Sequence, residues 1–553
     1  MPASLPRIPP LVAGFHLLIT VLLLLAWATG FRIAADSSDS MLLRAVAEFA
    51  LQGNVYHWHL LASWALMGSI LGYLLYFVRS ERWRTLWRQT QSARVVIIWF
   101  GIVLLVVALL SGLSLFWHWP ILDHKTRGLV HQGAAWGLLL FFVAHLVSVT
   151  ARYGVLGATW IFVPGKRLAR VSAYVAILSA SITAAVFGFQ KLTDKELVLG
   201  LADRPVVLDG RGSDPLWRTA RPITINTYNG ANQLDGEVPV TVRALHDGKH
   251  AYFSFRWPDS TRSLSHLPLL KTEGGWKVLH TAAGHADENL FYEDKFAVML
   301  SRSSVIGAGS AHLGPKPLSD HPPSLGGRGL HYTADGGLID LWHWKAVRTG
   351  LSLGQMDNNF VGAPIPTEAE YDRFTAGYQQ DPTDCEHLLR WDGRDYQRWP
   401  ECGGYLMNWD MSRDRERVFN GYIQPFRLPR DPNFMDRMGD VNLDPQKSDS
   451  GQWWMSWEDT VAYSIERDRF PVGTVIPSVI ALGPFQQGRG GIDAVAQWHD
   501  GFWTLEVRRL LQVDSPYSLS IEDGLYLWVA AFNHSQTRHS IQYRPVMLRL
   551  EAR

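Results

Sequence analysis

The residues of this chain best suited to chemistry are histidines in places where histidines are unfavourable. His16, His57, His59, His131 and His145 lie within or at the ends of long apolar stretches. An ionisable or metal-ligating side chain in such a stretch is a functional residue by default. His131 and His145 are 14 residues apart, close to four helical turns, so on a helix they project from one face about 21 Å apart along the axis. One helix would then present an imidazole near each surface of a bilayer. His16 lies in an earlier stretch at the depth of His145, and His59 in another at the depth of His131. Two haems b, each held by two imidazoles between facing helices, satisfy this pattern: His16 with His145, and His59 with His131. Gly14, Ala62, Ser63, Gly133, Ala134 and Ala135 would let a flat macrocycle approach the helices. His57-Trp58-His59 offers imidazoles on opposite sides of one helix; His59 lies deeper, with small residues one turn on, and is the expected ligand. Any one of these histidines alone could instead be an interfacial residue or a hydrogen-bonder within a bundle, but four at matched depths on three helices favour ligation.

The elements that must position them are five apolar stretches of bilayer-spanning length, roughly 11–30, 57–78, 94–117, 128–149 and 169–190. Ala26-Trp27-Ala28 looks like a signal-peptide cleavage site. Four further spans follow it, however, and the segment carries His16, so a retained helix is expected. Arg79, Arg82, Arg84, Arg88 and Arg94 against Glu81 make the 79–94 loop basic, and Arg152, Lys166, Arg167 and Arg170 do the same for 151–170. The positive-inside rule places these loops and the N-terminus in the cytoplasm, and an odd number of spans puts the rest of the chain on the outer side, the periplasm in a bacterium.

The 553 residues carry a net charge of +1, from 52 Lys+Arg against 51 Asp+Glu, which excludes the charge bias of a nucleic-acid binder. A mean hydropathy of -0.03 averages two unlike halves, one apolar and one polar and rich in Gly, Pro and Trp. Cys385 and Cys402 are the only cysteines, and no CxxCH occurs. That rules out a four-cysteine zinc site, an iron–sulfur cluster ligated only by cysteine, and covalent c-type haem attachment. In an oxidising compartment the two cysteines are expected to form a disulfide.

A histidine in span one, one in span two and a pair 14 apart in span four resemble the dihaem cytochrome b subunits of bacterial formate dehydrogenases and nickel–iron hydrogenases, over residues 1 to about 165. That resemblance implies electron exchange with quinone near the cytoplasmic haem and passage across the membrane to or from a periplasmic partner. A fifth span leading into a fused outer domain departs from most members.

From 195 onward the pattern is mostly β. The runs 238–245 and 250–257 alternate across a His246-Asp247-Gly248-Lys249 turn, a hairpin signature. Further runs occur at 296–300, 338–344, 502–511, 525–532 and 541–550. The expected fold is therefore α + β and multidomain: a transmembrane bundle of five spans, then a mainly antiparallel β-sandwich of Ig-like type. The expected divisions are 1–168 for the four-helix dihaem cytochrome b, 169–194 for the fifth span and linker, and 195–553 for the outer domain. Asp340-Leu341-Trp342-His343-Trp344-Lys345-Ala346, the run 502–510, the closing 525–550 segment, and Asp209-Gly210 with Asp214-Pro215-Leu216-Trp217 as a first-strand region resemble the haem-binding gamma subunit of ethylbenzene dehydrogenase. Members of that family hold one haem, b-type with Met and Lys ligands in the dehydrogenase subunits, and sometimes covalently bound with His ligands in fused relatives. This chain offers His534 and His539 where a Lys would be sought. The expected third haem b has His331 and His539 as ligands, with Met299, and less favourably His312, as substitutes.

The expected function is electron transfer between the quinone pool and a periplasmic redox protein or oxidoreductase subunit, by a multi-pass inner-membrane cytochrome of a respiratory chain. Its histidines would be ligands rather than acid–base catalysts, and it could serve as a subunit of a quinol/quinone oxidoreductase. Quinol oxidation would need a proton acceptor, for which His118, His124 or residues beside His16 are available. The competing class is a membrane-anchored ligand-binding, partner-binding or sensor protein without redox turnover.

Overall fold

The computed structural model describes residues 10–37, 51, 55–80, 93–117, 121–154, scattered positions between 176 and 188, 194–233, 236–280, 288–304, 333, 337–362, 378–382, 403–409, 421–438 and 451–552. The chain divides into two units, Met1–Asp194 and Lys195–Arg553.

The first unit is helical because its stretches are Leu-, Val- and Ala-rich and free of internal proline. Its helices are α1 (Pro10–Ser37), α2 (Val55–Arg79), α3 (Ala93–Phe116) and α4 (His124–Tyr153). The start of α4 is fixed by Asp123, whose carboxylate accepts from Thr126 N at 2.8 Å. Its end is fixed by Gly154, at φ 72°, whose N–H closes on Thr150 O. α1 packs along α2, and α3 along α4. The two hairpins meet through aromatic edges, Trp27 against Trp136 at 5.7 Å and Trp64 against Phe116 at 5.4 Å. Apolar side chains point outward in number, among them Leu75 (72% exposed) and Leu140 (70%), as lipid-facing helices require. Among the described residues four helices, not five, are long and apolar enough to cross a membrane. The span expected at 169–190 falls where only fragments are described, all of them helical.

The second unit is built on one twelve-stranded, mostly antiparallel sheet. Its strands are β1 (Lys195–Leu201), β2 (Ile223–Tyr228), β3 (Glu237–His246), β4 (His250–Pro258), β5 (Lys295–Ser301), β6 (Ile339–Lys345), β7 (Asp357–Val361), β8 (Tyr378–Gln380), β9 (Ile492–His499), β10 (Phe502–Leu510), β11 (Tyr526–Phe532) and β12 (Val546–Leu550). The order is β8-β7-β6-β5-β11-β12-β1-β3-β4-β10-β9, with β2 paired to β3. β1 runs parallel to both β12 and β3, joining the two halves of the sheet. The halves share one core: Phe255 of β4 lies 5.1 Å from Phe296 of β5, and Trp503 of β10 lies 5.0 Å from Trp344 of β6. This continuity through a parallel strand departs from the two separate sheets of an Ig-like sandwich. The expected hairpin is present, with Gly248 at φ 85° in its turn. The expected first-strand region at 214–217 is instead a short 3₁₀ turn (Pro215–Arg218) capped by Asp214. Of the run 541–550, only Val546–Leu550 is strand, while Ile541 bridges Tyr228.

Buried carboxyls tie distant segments of this unit together. Asp294 accepts from Ser263 N (2.7 Å), His534 N (2.9 Å) and Trp503 Nε1 (3.0 Å), and burial pushes its carboxyl up to about 7. A group raised in this way binds a proton in the folded chain that the unfolded chain has released. Its contribution to stability is therefore lost as pH rises from 3.8 towards about 7. Burial of His266 and His343 lowers their basicity and acts in the opposite sense up to 6.5, so the effect of Asp294 is isolated by difference. Thermal unfolding of wild type and Asp294→Asn across this window should show the variant gaining on the wild type as pH rises, because only the wild type loses the proton.

Candidate functional site

The first unit builds its site from one arrangement used twice. His59 of α2 donates from Nδ1 to the carbonyl of Ala26 on α1 (3.0 Å), with Thr29 Oγ1 at 3.1 Å. His131 of α4 donates from Nδ1 to the carbonyl of Ala108 on α3 (2.9 Å), with Ser111 Oγ at 3.1 Å. A carbonyl can only accept, so both rings carry their proton on Nδ1 and their lone pair on Nε2, the tautomer of a metal-ligating histidine. Thr29 and Ser111 each bond back to their own helix, to Leu25 O (2.7 Å) and Val107 O (2.6 Å). Glycine completes each cradle: a Cβ on Gly30 would stand 3.0 Å from His59 Cε1, and one on Gly112 3.1 Å from His131 Cε1. Ala26-x-x-Thr29-Gly30 thus matches Ala108-x-x-Ser111-Gly112, and His59-x-x-Ala62-x-Trp64 matches His131-x-x-Ala134-x-Trp136.

The two imidazoles face each other with centroids 6.2 Å apart and planes at 87°. With a metal–nitrogen bond of about 2 Å and a ring radius of roughly 1.1 Å, two axial imidazoles on one metal would have centroids about 6.2 Å apart. The donor set and spacing therefore fit a bis-imidazole haem, and Ala62 and Ala134, both buried, keep bulk away from it. Arg127, one turn before His131, is 5% exposed and donates from Nη1 to Ser114 O at 2.7 Å. Arg32, one turn beyond Thr29, is 2% exposed.

The other expected pair keeps company within its own hairpins. His16 bonds to Val12 O (3.2 Å) and stands edge-on to Tyr73 of α2 at 5.9 Å. His145 stacks on Phe141 at 5.6 Å. The side chain of His57 and the whole of His118 lie outside the described residues, whereas His124 is buried at the start of α4.

In the second unit His331, His312, Cys385 and Cys402 lie outside the described residues. Met299 and His539 are described and belong to one face of the sheet. Trp342 and Trp344 of β6 point into the core, so alternation turns Leu341, His343 and Lys345 to the opposite face. On that face Met299 lies between Leu341 and Trp528, Ala297 between His343 and Ala530, and Lys295 between Lys345 and Phe532. His343 and His539 flank Phe532, at 5.4 Å and 5.0 Å. His539 Nδ1 donates to Ser540 O at 2.7 Å. The Nε2 of His343 is buried without a hydrogen-bond partner among the described residues, and burial, then Lys345, Lys295 and Arg348, hold the ring well below the usual histidine range. The sequence reading passed over His343; strand alternation between the two tryptophans was the signal that could have found it. Among the described residues no cluster of three or more His, Cys, Asp or Glu gathers as a bare metal site would.

The cradles make a specific prediction. Gly112→Val should displace His131 and Gly30→Val should displace His59. Leu140→Ala trims a side chain that is 70% exposed and should be silent. The haem-to-protein ratio and the low-spin ferric EPR signal of purified protein should fall in the first two variants and hold in the third.

No curated protein matches the chain. Among solved structures, a family 9 carbohydrate-binding module from Caldicellulosiruptor kristjanssonii in complex with cellotriose aligns at 8% identity, covering 65% of this chain and 95% of that one, with a TM-score of 0.22. A protein from Bacteroides uniformis described as carbohydrate-binding aligns at 7% identity over 65% of this chain and 100% of that one, with a TM-score of 0.23. Scores this low carry no argument about fold or ligand. The family comparison does: residues 214–544, more than half of the chain, match the model of the ethylbenzene dehydrogenase family, and the chain belongs to that family.

Proposed function

We propose that this protein is a membrane-bound b-type cytochrome that carries electrons between the quinone pool and a periplasmic redox partner. The observation that supports it most is the opposed pair His59 and His131, tautomers fixed, at the spacing two axial ligands require. Haem, when bound, supplies one-electron chemistry; the chain sets its position and potential. Ala26 and Ala108 hold the imidazoles in orientation, and their carbonyls raise the basicity of Nε2. Arg32 and Arg127 supply positive charge one turn away, where two propionates would need it. His16 and His145 are the proposed ligands of a second, cytoplasmic-side haem b, near which quinone would react, with His124 at the start of α4 as the proposed proton acceptor.

In this reading residues 1–168 form the dihaem bundle, 169–194 a fifth span and linker, and 195–553 a periplasmic domain with a third haem, for which His331, His539 and Met299 were the ligands expected from sequence. Cys385 and Cys402, outside the described residues, are the proposed partners of a disulfide there. Membership of the ethylbenzene dehydrogenase family supports a redox role for this domain, and the apolar helices support a bilayer anchor. The basic loops at 79–94 and 151–170 support an inner-membrane protein with its N-terminus in the cytoplasm.

Two experiments test the proposal. Purified protein should give a pyridine haemochrome spectrum of haem b and be reduced by a quinol, and His131→Ala should lose about one haem per chain, as should His145→Ala. Haem-free protein that is folded would end the proposal. Alkaline phosphatase fused after residue 195 should be active; an inactive fusion, with an active cytoplasmic reporter at the same site, would reverse the topology.

A further inference from the structure

We infer that His343 is an axial ligand of the outer-domain haem, with His539 as the second, in a slot on the outward face of β5, β6 and β11. The inference rests on the third haem proposed above and replaces His331 in the expected ligand set. Three independent features of that face converge on one ligand chemistry.

First, the floor is small where the walls are large. Ala297 and Ala530 are direct neighbours in register. On one side of them stand Leu341, Met299 and Trp528, and on the other Phe532. A flat apolar body can reach the sheet only where side chains stop at Cβ, and aromatic walls suit it.

Second, His343 occupies the same row as the two alanines, and its buried Nε2 has no hydrogen-bond partner among the described residues. An unsatisfied buried nitrogen is costly unless something binds it. A buried imidazole nitrogen left bare in this way can coordinate a metal. His539 reaches the same end of the slot, across Phe532. Its Nδ1 bond to Ser540 O puts its lone pair on Nε2, as in His59 and His131. Met299 instead packs in an apolar cluster with Ile339, Val361 and Trp528, so it serves as wall.

Third, the row beyond His343 is cationic. Lys295 and Lys345 are direct cross-strand neighbours. Lys345 is paired with Asp357, which also receives Arg489. Lys295 lies over the rings of Phe532 (3.9 Å) and Tyr292 (4.9 Å) and donates to Gln536 O at 2.7 Å. An apolar floor, a bare imidazole nitrogen and a positive end together describe the needs of an iron macrocycle with carboxylate tails.

The test uses the full-length protein in detergent, measuring haem per chain and the ferric EPR spectrum. Wild type should hold three low-spin haems. His343→Ala should lose one low-spin signal, either with its haem or to high spin, leave the two membrane signals unchanged, and recover the lost signal when imidazole is added with haem. His343→Met should keep three haems but gain the far-red charge-transfer band of a thioether ligand, a change a merely structural role would not produce. His499→Ala should match wild type, and Met299→Leu should keep the third signal low-spin with bis-histidine character, because a wall needs bulk rather than a thioether. Wild type with only two haems would overturn the outer-domain haem and this inference with it. Wild type with three haems and His343 variants that retain three unchanged low-spin signals would overturn the assignment of His343 alone. Loss of the third signal in Met299→Leu would do the same for His539 and return the methionine to the ligand set.

Discussion

The membrane unit depends on two hydrogen bonds from imidazole to main-chain carbonyl, His59 to Ala26 and His131 to Ala108. A helical carbonyl already accepts from its own helix, so accepting a second donor from a neighbouring helix requires close approach. Gly30 and Gly112 permit that approach by leaving room for the rings. Everything else follows from holding two neutral imidazoles 6.2 Å apart in a low-dielectric interior. The hairpins must be held by other contacts, and the Trp27–Trp136 and Trp64–Phe116 edges provide them on either side of the pair.

The outer unit solves a different problem with one strand. β6 turns two tryptophans into the core, where Trp344 meets Trp503 and Trp342 meets Phe253, and presents a histidine between them to the other face. Period-two alternation makes the strand a fixed arm: the burial that orders the tryptophans also sets the side on which His343 meets Phe532. The parallel strand β1, inserted between β12 and β3, closes the two halves into one sheet, to which β5, β6 and β11 belong.

Much of this was legible in the sequence where a single period governs. Apolar length gave four spans that the structure has, and the depth of His59 and His131 put them together before any coordinates. Alternating runs located β3 to β6, β10 and β11 to within a residue or two. What was not legible depends on pairs of segments. The Ala-x-x-Thr/Ser-Gly cradles act through main-chain atoms, which carry no side-chain signature. The stretch at 214–217 was read as a strand region, but Asp214 caps a 3₁₀ turn there, a local hydrogen-bond preference that outweighs strand pattern. His343 was overlooked because its tryptophan neighbours drew the strand into the core in a reading that did not ask which face each residue took.

The matched cradles also bear on symmetry. A hairpin with Ala-x-x-Thr/Ser-Gly on one helix and His-x-x-Ala-x-Trp on the next holds one complete half-site, and two such hairpins about an axis make the whole. Two half-sites carried by one chain need not be identical, so each hairpin can vary away from its cradle. The same alignments set His16 opposite Ile98, and His145 opposite Tyr73. The repeat therefore stops at the cradles: His16 lies on the first helix of one hairpin and His145 on the second helix of the other, and neither has a histidine at the matching position of the other hairpin.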